Sequence, residues 1–256
     1  MRIVIKVGTS TLAHSTGRLN IRRTEELCKI ISDIKNAGHE IILVSSGAIG
    51  MGVGKLALAT RPNDIATKQA AAAVGQCELM YTYDKLFSKY NHTVAQILLT
   101  GSDFSHEDRH ENFNNTLARL LELGVLPIIN ENDTIATEEI KVGDNDTLSA
   151  LVAVSAKADL LILLSDIDGL FTADPHTDPS ATLLSVVEEI NDDIMALGGG
   201  SGSSLGTGGM HTKLHAAQIC TESGCDMIIA NGSDPKILYA ITENDSPRCT
   251  LFKGKK

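Results

Sequence analysis

The sequence is poor in the residues that nucleic-acid-binding proteins use. It contains no Trp, aromatic residues make up only 4% of its 256 residues, and 22 Lys and Arg against 32 Asp and Glu give a net charge of −10. Without a basic surface, or aromatic side chains on which bases could stack, nucleic acid is not an expected partner. A phosphorylated ligand would have to be bound by a few placed lysines, backbone amides and a metal ion.

The sequence also lacks the marks of a secreted or membrane protein. Its cysteines are odd in number and form no C-x-x-C pair, which fits reduced thiols better than a disulfide framework: Cys28, Cys77, Cys220, Cys225 and Cys249. Lys6 interrupts what would be the apolar core of a signal peptide, and no apolar run has the length of a membrane span. We therefore expect a cytoplasmic protein with no membrane partner.

Short apolar runs alternate with segments of helical periodicity along the chain. Strands are predicted at 3–7, 41–44, 94–99, 125–129, 160–164 and 227–230, and helices at 24–36, 66–89, 113–123, 147–157 and 210–223. The predicted inner face of the 66–89 helix comprises Ala70, Val74, Cys77, Tyr81 and Phe87. Several runs are apolar without alternation, which is typical of strands covered on both faces. The pattern predicts an α/β fold with a largely parallel sheet between helical layers, and a ligand crevice beyond the carboxyl ends of the strands.

Glycine-containing turns follow the first two strands. The segment from Lys6 to Ser10 (KVGTS) places a lysine near a strand end and offers backbone amides to an anion, although an ordinary tight turn would look the same. The segment from Ser45 to Gly50 (SSGAIG) either lets the backbone approach a small ligand or caps a helix with a packing glycine. Neither segment is a P-loop, and the glycines at 47–54 miss the dinucleotide-binding spacing.

Acidic and amide residues follow the fourth and fifth strands. Asn130 to Asp133 (NENDT with the following Thr) occupies a crevice position, and Asp144 to Asp146 leads into a helix. One Asp or Asn suffices as a helix cap, but three in succession can also bind an ammonium group, orient lysines or hold the waters of a metal. Ser165 to Leu170 (SDIDGL) fails as an EF-hand because Leu170 stands at the fifth ligand position, which leaves a nucleotide-ribose or turn role.

Two further motifs contain histidine. The loop from Leu205 to Lys213 (LGTGGMHTK) would present backbone N–H groups, a helix N-terminus and an ammonium group together, which favours phosphate binding over a flexible surface loop. The segment from His106 to His110 (HEDRH) matches the H-E-x-x-H zinc-protease motif. Its flanks are polar on every side, so we predict a solvated loop entering a helix, with surface histidines and no function for the charged segment 102–112.

Six strings together resemble the amino acid kinase family: KVGTS, SSGAIG, INENDT, IKVGDNDTLSALVA, SDIDGLFTADP and GTGGMHTK. The similarity runs over essentially the whole chain, and IKVGDND with GTGGM-x-TK is specific to the members that phosphorylate glutamate. The resemblance implies an αβα sandwich with a mainly parallel central sheet, formed by one kinase domain over 1–256. An acceptor-binding lobe is expected at about 1–150 and an ATP-binding lobe at about 151–256. Many of those members continue into a PUA domain, which is not expected here.

The resemblance also implies roles for individual residues. Lys6 and Lys213 would flank the transferring phosphoryl group, and Asp146 would orient both lysines. L-Glutamate would be bound by Ser46, Gly47, Asp133 and Asn145, with help from Asn130. ATP would be bound by Lys6, Ser165, Asp166, Thr207, Gly208, Gly209, Met210, His211, Thr212 and Lys213, and no metal site made of protein side chains is implied.

The implied reaction converts L-glutamate and ATP, with Mg²⁺ on its phosphates, into L-glutamyl 5-phosphate and ADP, the first step of proline biosynthesis. The resemblance further implies feedback by proline, hand-off of the product to glutamyl phosphate reductase, and a homo-oligomer. Two alternatives stay open. One is a sister kinase acting on acetylglutamate or another small carboxylate. The other is a non-catalytic amino-acid sensor, which would be expected to lose Lys6, Lys213 and Asp146, yet all are present.

Overall fold

The computed structural model describes residues 1–14, 18–136, 144–175, 177–199, 209–243 and 245–255. Its strands are β1 (Arg2–Val7), β2 (Glu40–Ser45), β3 (Val94–Leu99), β4 (Leu126–Glu131), β5 (Leu160–Ser165), β6 (Val186–Val187), β7 (Asp226–Asn231) and β8 (Cys249–Phe252). Its helices are α1 (Thr9–Leu12), α2 (Ile21–Asn36), α3 (Ala48–Lys55), α4 (Ile65–Ser88), α5 (Gly101–Ser105), α6 (Glu107–Glu122), α7 (Asn145–Ser155), α8 (Asp192–Ala196), α9 (Met210–Glu222) and α10 (Ile237–Thr242).

The described strands form one mixed sheet in the order β3-β4-β2-β1-β5-β7-β8-β6. From β3 to β7 each strand is parallel to its neighbours, whereas β8 is antiparallel to β7 and β6 is parallel to β8. The predicted α/β fold with a mainly parallel sheet is confirmed. β6 and β8, which have two and four residues, were not predicted because such short segments show no periodicity.

Helices cover both faces of the sheet, and β1 shows how its side chains are shared between them. Ile3, Ile5 and Val7 pack on one face with α2 and α4, whereas Val4 packs on the other with α7 and α9. Because successive side chains of a strand point to opposite faces, Lys6 lies on the face of Val4, near the carboxyl end of the strand. The two layers of helices around the sheet give the expected αβα sandwich.

The buried face of α4 differs from the predicted one. Ala70, Cys77 and Tyr81 are exposed (Tyr81 by 62%), Val74 is half-buried, and of the predicted set only Phe87 is buried. The helix instead buries Ala71, Ala72, Gly75, Gln76, Leu79, Tyr83, Leu86 and Phe87. Side-chain size misled the prediction, because small residues form the contact where α4 approaches α3.

Glycines bring α3 and α4 into unusually close contact. A Cβ atom on Gly52 would lie 1.8 Å from the carbonyl oxygen of Ala71, and one on Gly75 would lie 1.7 Å from that of Ala48. Gly47, which caps α3, has a φ of 105°, a left-handed conformation that glycine adopts without strain. From sequence, this glycine-rich segment could be either a ligand-binding turn or a capped helix. It is a helix, because packing against α4 overrides its weak helix propensity.

We expect Gly75→Ala to lower the free energy of unfolding by about 1–3 kcal/mol or more, because the added methyl group must push α3 and α4 apart. Gly54→Ala is the matched control, since nothing lies within 4 Å of a Cβ atom built there. There, alanine should stabilise α3 by about 0.5–1 kcal/mol. Thermal unfolding followed by circular dichroism measures both, and equal midpoints for the two variants would contradict the close helix contact.

The segment 102–112 is helical, so the prediction of a solvated loop there is wrong. α5 begins after a capping box in which Thr100 and Asp103 each bond the other's backbone N–H, and α6 begins at Glu107 rather than near 113. Its many polar residues form the exposed face of two helices, and the first fully buried residue of α6 is Phe113. In the described part of the chain, no helix is long and apolar enough to cross a membrane.

Candidate active site

The predicted site residues converge at the carboxyl edge of the sheet. Four adjacent strands, β4, β2, β1 and β5, end there. α7 begins at the same edge, since Asp146 in its first turn contacts Lys6 of β1 and Asn145 contacts Ser45 of β2. α9 begins there too, since Lys213 in its first turn contacts Asp146. β1 leads along the chain to β2 on one side, whereas β5, on its other side, is reached only after β4. The strand order therefore reverses at β1, which is where open α/β sheets bind their ligands.

Three buried charges form the centre of this site. The carboxylate of Asp146, which is 1% exposed, pairs through Oδ1 with Lys6 Nζ at 2.5 Å and through Oδ2 with Lys213 Nζ at 3.1 Å. Lys6 and Lys213 are themselves only 9% and 7% exposed. The hydroxyl of Thr212 also donates to Asp146 Oδ2, at 3.0 Å. One carboxylate therefore fixes two ammonium groups, which come from the first strand and the ninth helix.

The electrostatics of this cluster keep Asp146 ionised. Burial alone would raise the pKa of its carboxyl group, but the adjacent Lys6 and Lys213 ammonium groups outweigh burial and lower the pKa from 3.8 to about 2. The cluster has two positive charges and one negative charge, so it retains a net positive charge near +1. Such a group attracts polyphosphate, and a carboxylate with so low a pKa as that of Asp146 is a weak proton acceptor.

An amide network lies beside the charged cluster. Nδ2 of Asn145, the residue before Asp146, donates to Ser46 Oγ at 2.7 Å, to Asn130 Oδ1 at 3.0 Å and to the carbonyl oxygen of Ser45 at 3.3 Å. Gly47 follows Ser46 at the start of α3, and Asp133 is half-buried in the turn after β4. The structure thus joins Ser46, Asn130 and Asn145 directly.

The residues predicted to bind ATP fall partly inside the described chain. Ser165, at the end of β5, is buried and donates to the exposed Asp166 at 3.1 Å. Gly209 caps α9 with its backbone alone, Met210 and Thr212 are half-buried in the first turn, and His211 is exposed. Thr207, Gly208 and residues 137–143 of the INENDT to IKVGDND region lie outside the described residues.

Two side chains of α4 that the sequence analysis missed form hydrogen bonds with the amide network and with Ser45 beside it. Gln76 of α4 accepts a hydrogen bond from Asn130 Nδ2 at 2.9 Å, and Tyr83 of the same helix is 2.8 Å from Ser45 Oγ. Both residues are buried. A polar residue on the inner face of a helix was the available signal, but the wrong face had been predicted for α4.

The H-E-x-x-H segment carries no metal-binding geometry. His106 is exposed and precedes α6, whereas His110 is half-buried, contrary to prediction, with Nε2 2.8 Å from Ser155 Oγ. Within the described ranges, no three His, Cys, Asp or Glu side chains are grouped so that they could hold a metal ion. His211 and His215 are exposed on α9.

Comparison of the chain with known proteins supports one family. The profile of the amino acid kinase family matches residues 1–231. A glutamate 5-kinase of Clostridium acetobutylicum is 56% identical over 256 residues, covering 99% of this chain and 95% of that protein. A glutamate 5-kinase of Caldanaerobacter subterraneus is 53% identical over 255 residues, covering 100% of this chain and 68% of that protein.

Solved structures of other kinases share the fold at much lower identity. A carbamate kinase from Giardia lamblia bound to AMP-PNP has a TM-score of 0.71 at 16% identity, covering 99% of this chain and 98% of that chain. An isopentenyl phosphate kinase substrate complex has a TM-score of 0.69 at 16% identity, covering 98% and 99%. These two resemblances concern the fold alone. The family profile and the relatives above 50% identity lead to one conclusion: the chain belongs to the amino acid kinase family and is a relative of the glutamate 5-kinases.

Proposed function

We propose that this protein transfers the γ-phosphoryl group of ATP to the 5-carboxylate of L-glutamate, the first step of proline biosynthesis. The observation that carries the proposal is that two adjacent residues of α7 bind different groups: one binds two lysine ammonium groups, and the other binds polar side chains. Asp146 holds the ammonium groups of Lys6 and Lys213, while Asn145 binds Ser46 and Asn130. A site for phosphate and a site for a small polar acceptor therefore share one helical turn.

The reaction needs positioning and charge stabilisation more than proton transfer. The 5-carboxylate is already ionised at neutral pH. One of its oxygens forms a bond to the γ-phosphorus, the bond from that phosphorus to the β,γ-bridging oxygen breaks, and ADP departs with the electron pair. Lys6 and Lys213 stabilise the negative charge that redistributes along this line, and Asp146 keeps both ammonium groups in place. No residue has to act as a base.

The residues present fit a magnesium ion that arrives with the nucleotide. Asp146, the buried carboxylate of the site, is engaged by two ammonium groups, and the described residues offer no three-ligand cluster. Mg²⁺ typically keeps several waters and binds the phosphates of a substrate, with few protein ligands. We therefore propose that the phosphate oxygens of ATP and water hold Mg²⁺, where it would neutralise phosphate charge.

The division of the site follows the halves of the chain. Ser46, Asn130 and Asn145 support an acceptor-binding lobe at about 1–150, together with Gly47 and Asp133. Ser165, Asp166 and the 207–213 segment support an ATP-binding lobe at about 151–256, with Lys6 reaching the nucleotide from the first lobe. Feedback by proline, hand-off to glutamyl phosphate reductase, a homo-oligomer and a cytoplasmic location remain predictions.

Asn145→Ala and Asp133→Ala should each raise the KM for glutamate about 10-fold or more, because a lost hydrogen bond to a charged group costs about 1.5–3 kcal/mol. The KM for ATP should stay within about 2- to 3-fold of the wild-type value if both act on ground-state acceptor binding. Asn112→Ala, at an exposed position of α6, is the matched control. Initial rates with each substrate varied in turn measure both constants, and equal effects on the two would contradict the lobe assignment.

A substrate panel tests the proposed function itself. ADP release is measured with L-glutamate, N-acetyl-L-glutamate and L-aspartate in parallel, with and without proline. We expect turnover with free glutamate at least 100-fold above that with the other acceptors, since the neutral amide of acetylglutamate and the shorter chain of aspartate present different groups to Asn145 and Ser46. Preferential turnover of acetylglutamate would favour a sister kinase, and no ADP release with any acceptor would favour a sensor.

A further inference from the structure

We propose that Gln76 binds the acceptor directly, by donating a hydrogen bond from Nε2 to a carboxylate oxygen of glutamate. The inference deepens the proposed function and rests on it. Gln76 is only 6% exposed, and within the described part of the chain its Nε2 has no hydrogen-bond partner, although its Oε1 is bonded. A buried amide nitrogen without a partner is unfavourable and rare, so its persistence calls for a ligand.

The orientation of the Gln76 amide follows from its neighbours. The backbone N–H of Glu131, which can only donate, bonds to Asn130 Oδ1 at 2.9 Å. Asn130 must therefore turn its Nδ2 toward Gln76, and that nitrogen can only be received by the Gln76 oxygen, at 2.9 Å. The amide group of Gln76 thus has its oxygen engaged and its nitrogen, with two N–H donors, left over.

The position of α4 brings this nitrogen to the acceptor side of the site. Two turns before Gln76, Gln69 donates to the carbonyl oxygen of Ala136 at 3.4 Å, so this face of α4 lies along the turn that follows β4 and carries Asp133. Gly75 presses α4 against Ala48, two residues after Ser46. Gln76 is therefore enclosed between the turn after β4 and the start of α3, the two segments that the proposed function assigns to glutamate.

The chemistry of the network favours a carboxylate as the missing partner. Asn145 donates to Ser46 Oγ, which leaves the Ser46 hydroxyl hydrogen available, and Gln76 contributes the N–H groups of Nε2. Both are donors, and an ionised carboxylate accepts several hydrogen bonds that are stronger than those between neutral groups. The ammonium group of glutamate is itself a donor and cannot accept these hydrogen bonds, whereas either of its carboxylates can accept them.

Gln76→Glu separates this role from support of Asn130. The introduced carboxylate keeps an oxygen for Asn130 but replaces the donor by a second negative oxygen, which would repel glutamate. We expect the KM for glutamate to rise about 10- to 100-fold while the KM for ATP changes less than about 3-fold. Glutamate should also lose its stabilising shift of the unfolding midpoint, whereas a non-hydrolysable ATP analogue should retain its own shift.

Two further variants keep the test decisive. Gln76→Met removes donor and acceptor at similar volume, and it carries the same readouts if Gln76→Glu does not fold. Gln218→Glu makes the same chemical change on α9, where the amide donates to the exposed Glu222, and should leave both KM values unchanged. A glutamate KM within about 2-fold of wild type in the Gln76 variants, or equal rises for both substrates, would overturn the proposal. Wild-type protein without glutamate turnover would instead overturn the proposed function.

Discussion

Lys213→Met and Lys6→Met are each expected to lower kcat by about 10²-fold or more, at saturating glutamate and Mg-ATP, because removing one group that stabilises transition-state charge typically costs about 3–4 kcal/mol. Each ammonium group is buried and held by Asp146, so neither needs to reorganise as the phosphoryl group moves. Methionine keeps most of the aliphatic stem and its packing. The unfolding midpoint should therefore change far less than the rate.

Lys253→Met is the matched control for the lysine variants. Lys253 directly follows the last strand, β8, and forms an exposed ion pair with Glu188, outside the site. The kcat of this variant should equal that of the wild type. If both buried lysines act on one transition state, the Lys6→Met, Lys213→Met double variant should lose less than the sum of the single losses. Wild-type kcat in either single variant would show that the lysine is structural.

Asp146→Asn is expected to destabilise the protein by about 3–5 kcal/mol and to lower kcat by about 10²-fold, because it leaves two buried ammonium groups without their counter-charge. The amide has nearly the shape of the carboxylate, so the loss reports charge rather than packing. Denaturant unfolding measures the stability and steady-state assays measure kcat.

The pH dependence of this loss has a defined sign. The folded-state pKa of Asp146 is lowered from 3.8 to about 2, so its contribution to stability is present above pH 3.8 and disappears as the pH falls toward 2. The stability gap between wild type and Asp146→Asn should therefore close over that range. Glu122→Gln is the control, since its pair with Arg119 is exposed and worth at most about 1 kcal/mol. A gap that stays constant down to pH 2 would contradict the charge argument.

The sequence predicted most of the sheet and the edge at which the candidate site residues meet, for physical reasons that are visible in particular residues. The nearly continuous apolar runs of β1, β2, β4, β5 and β7 are typical of strands covered on both faces. Lys6 lies near the end of such a run, and Ser46, Asn130 and Ser165 come at or just after the end of others. Parallel strands bring their carboxyl ends to one edge of the sheet. That geometry could be anticipated without any knowledge of side-chain contacts.

Other features depend on contacts that no local pattern encodes. α3 is a helix because Gly52 and Gly75 let it approach α4 within backbone contact, although its three glycines are more typical of a turn. The polar α5 and α6 fold as helices because a capping box starts one and a sparse apolar face anchors the other. Gln76 was not selected, because its role depends on Asn130, 54 residues away.

The central claim is that the phosphoryl group moves to the 5-carboxylate of glutamate, and trapping the product with hydroxylamine tests it most directly. An acyl phosphate reacts with hydroxylamine to give a hydroxamate and inorganic phosphate, which marks the carboxyl group that was phosphorylated. The predicted result is L-glutamate 5-hydroxamate formed in equal amount to ADP, and none formed by Lys213→Met within the assay time. Formation of the 1-hydroxamate, or ADP release without any hydroxamate, would contradict the account.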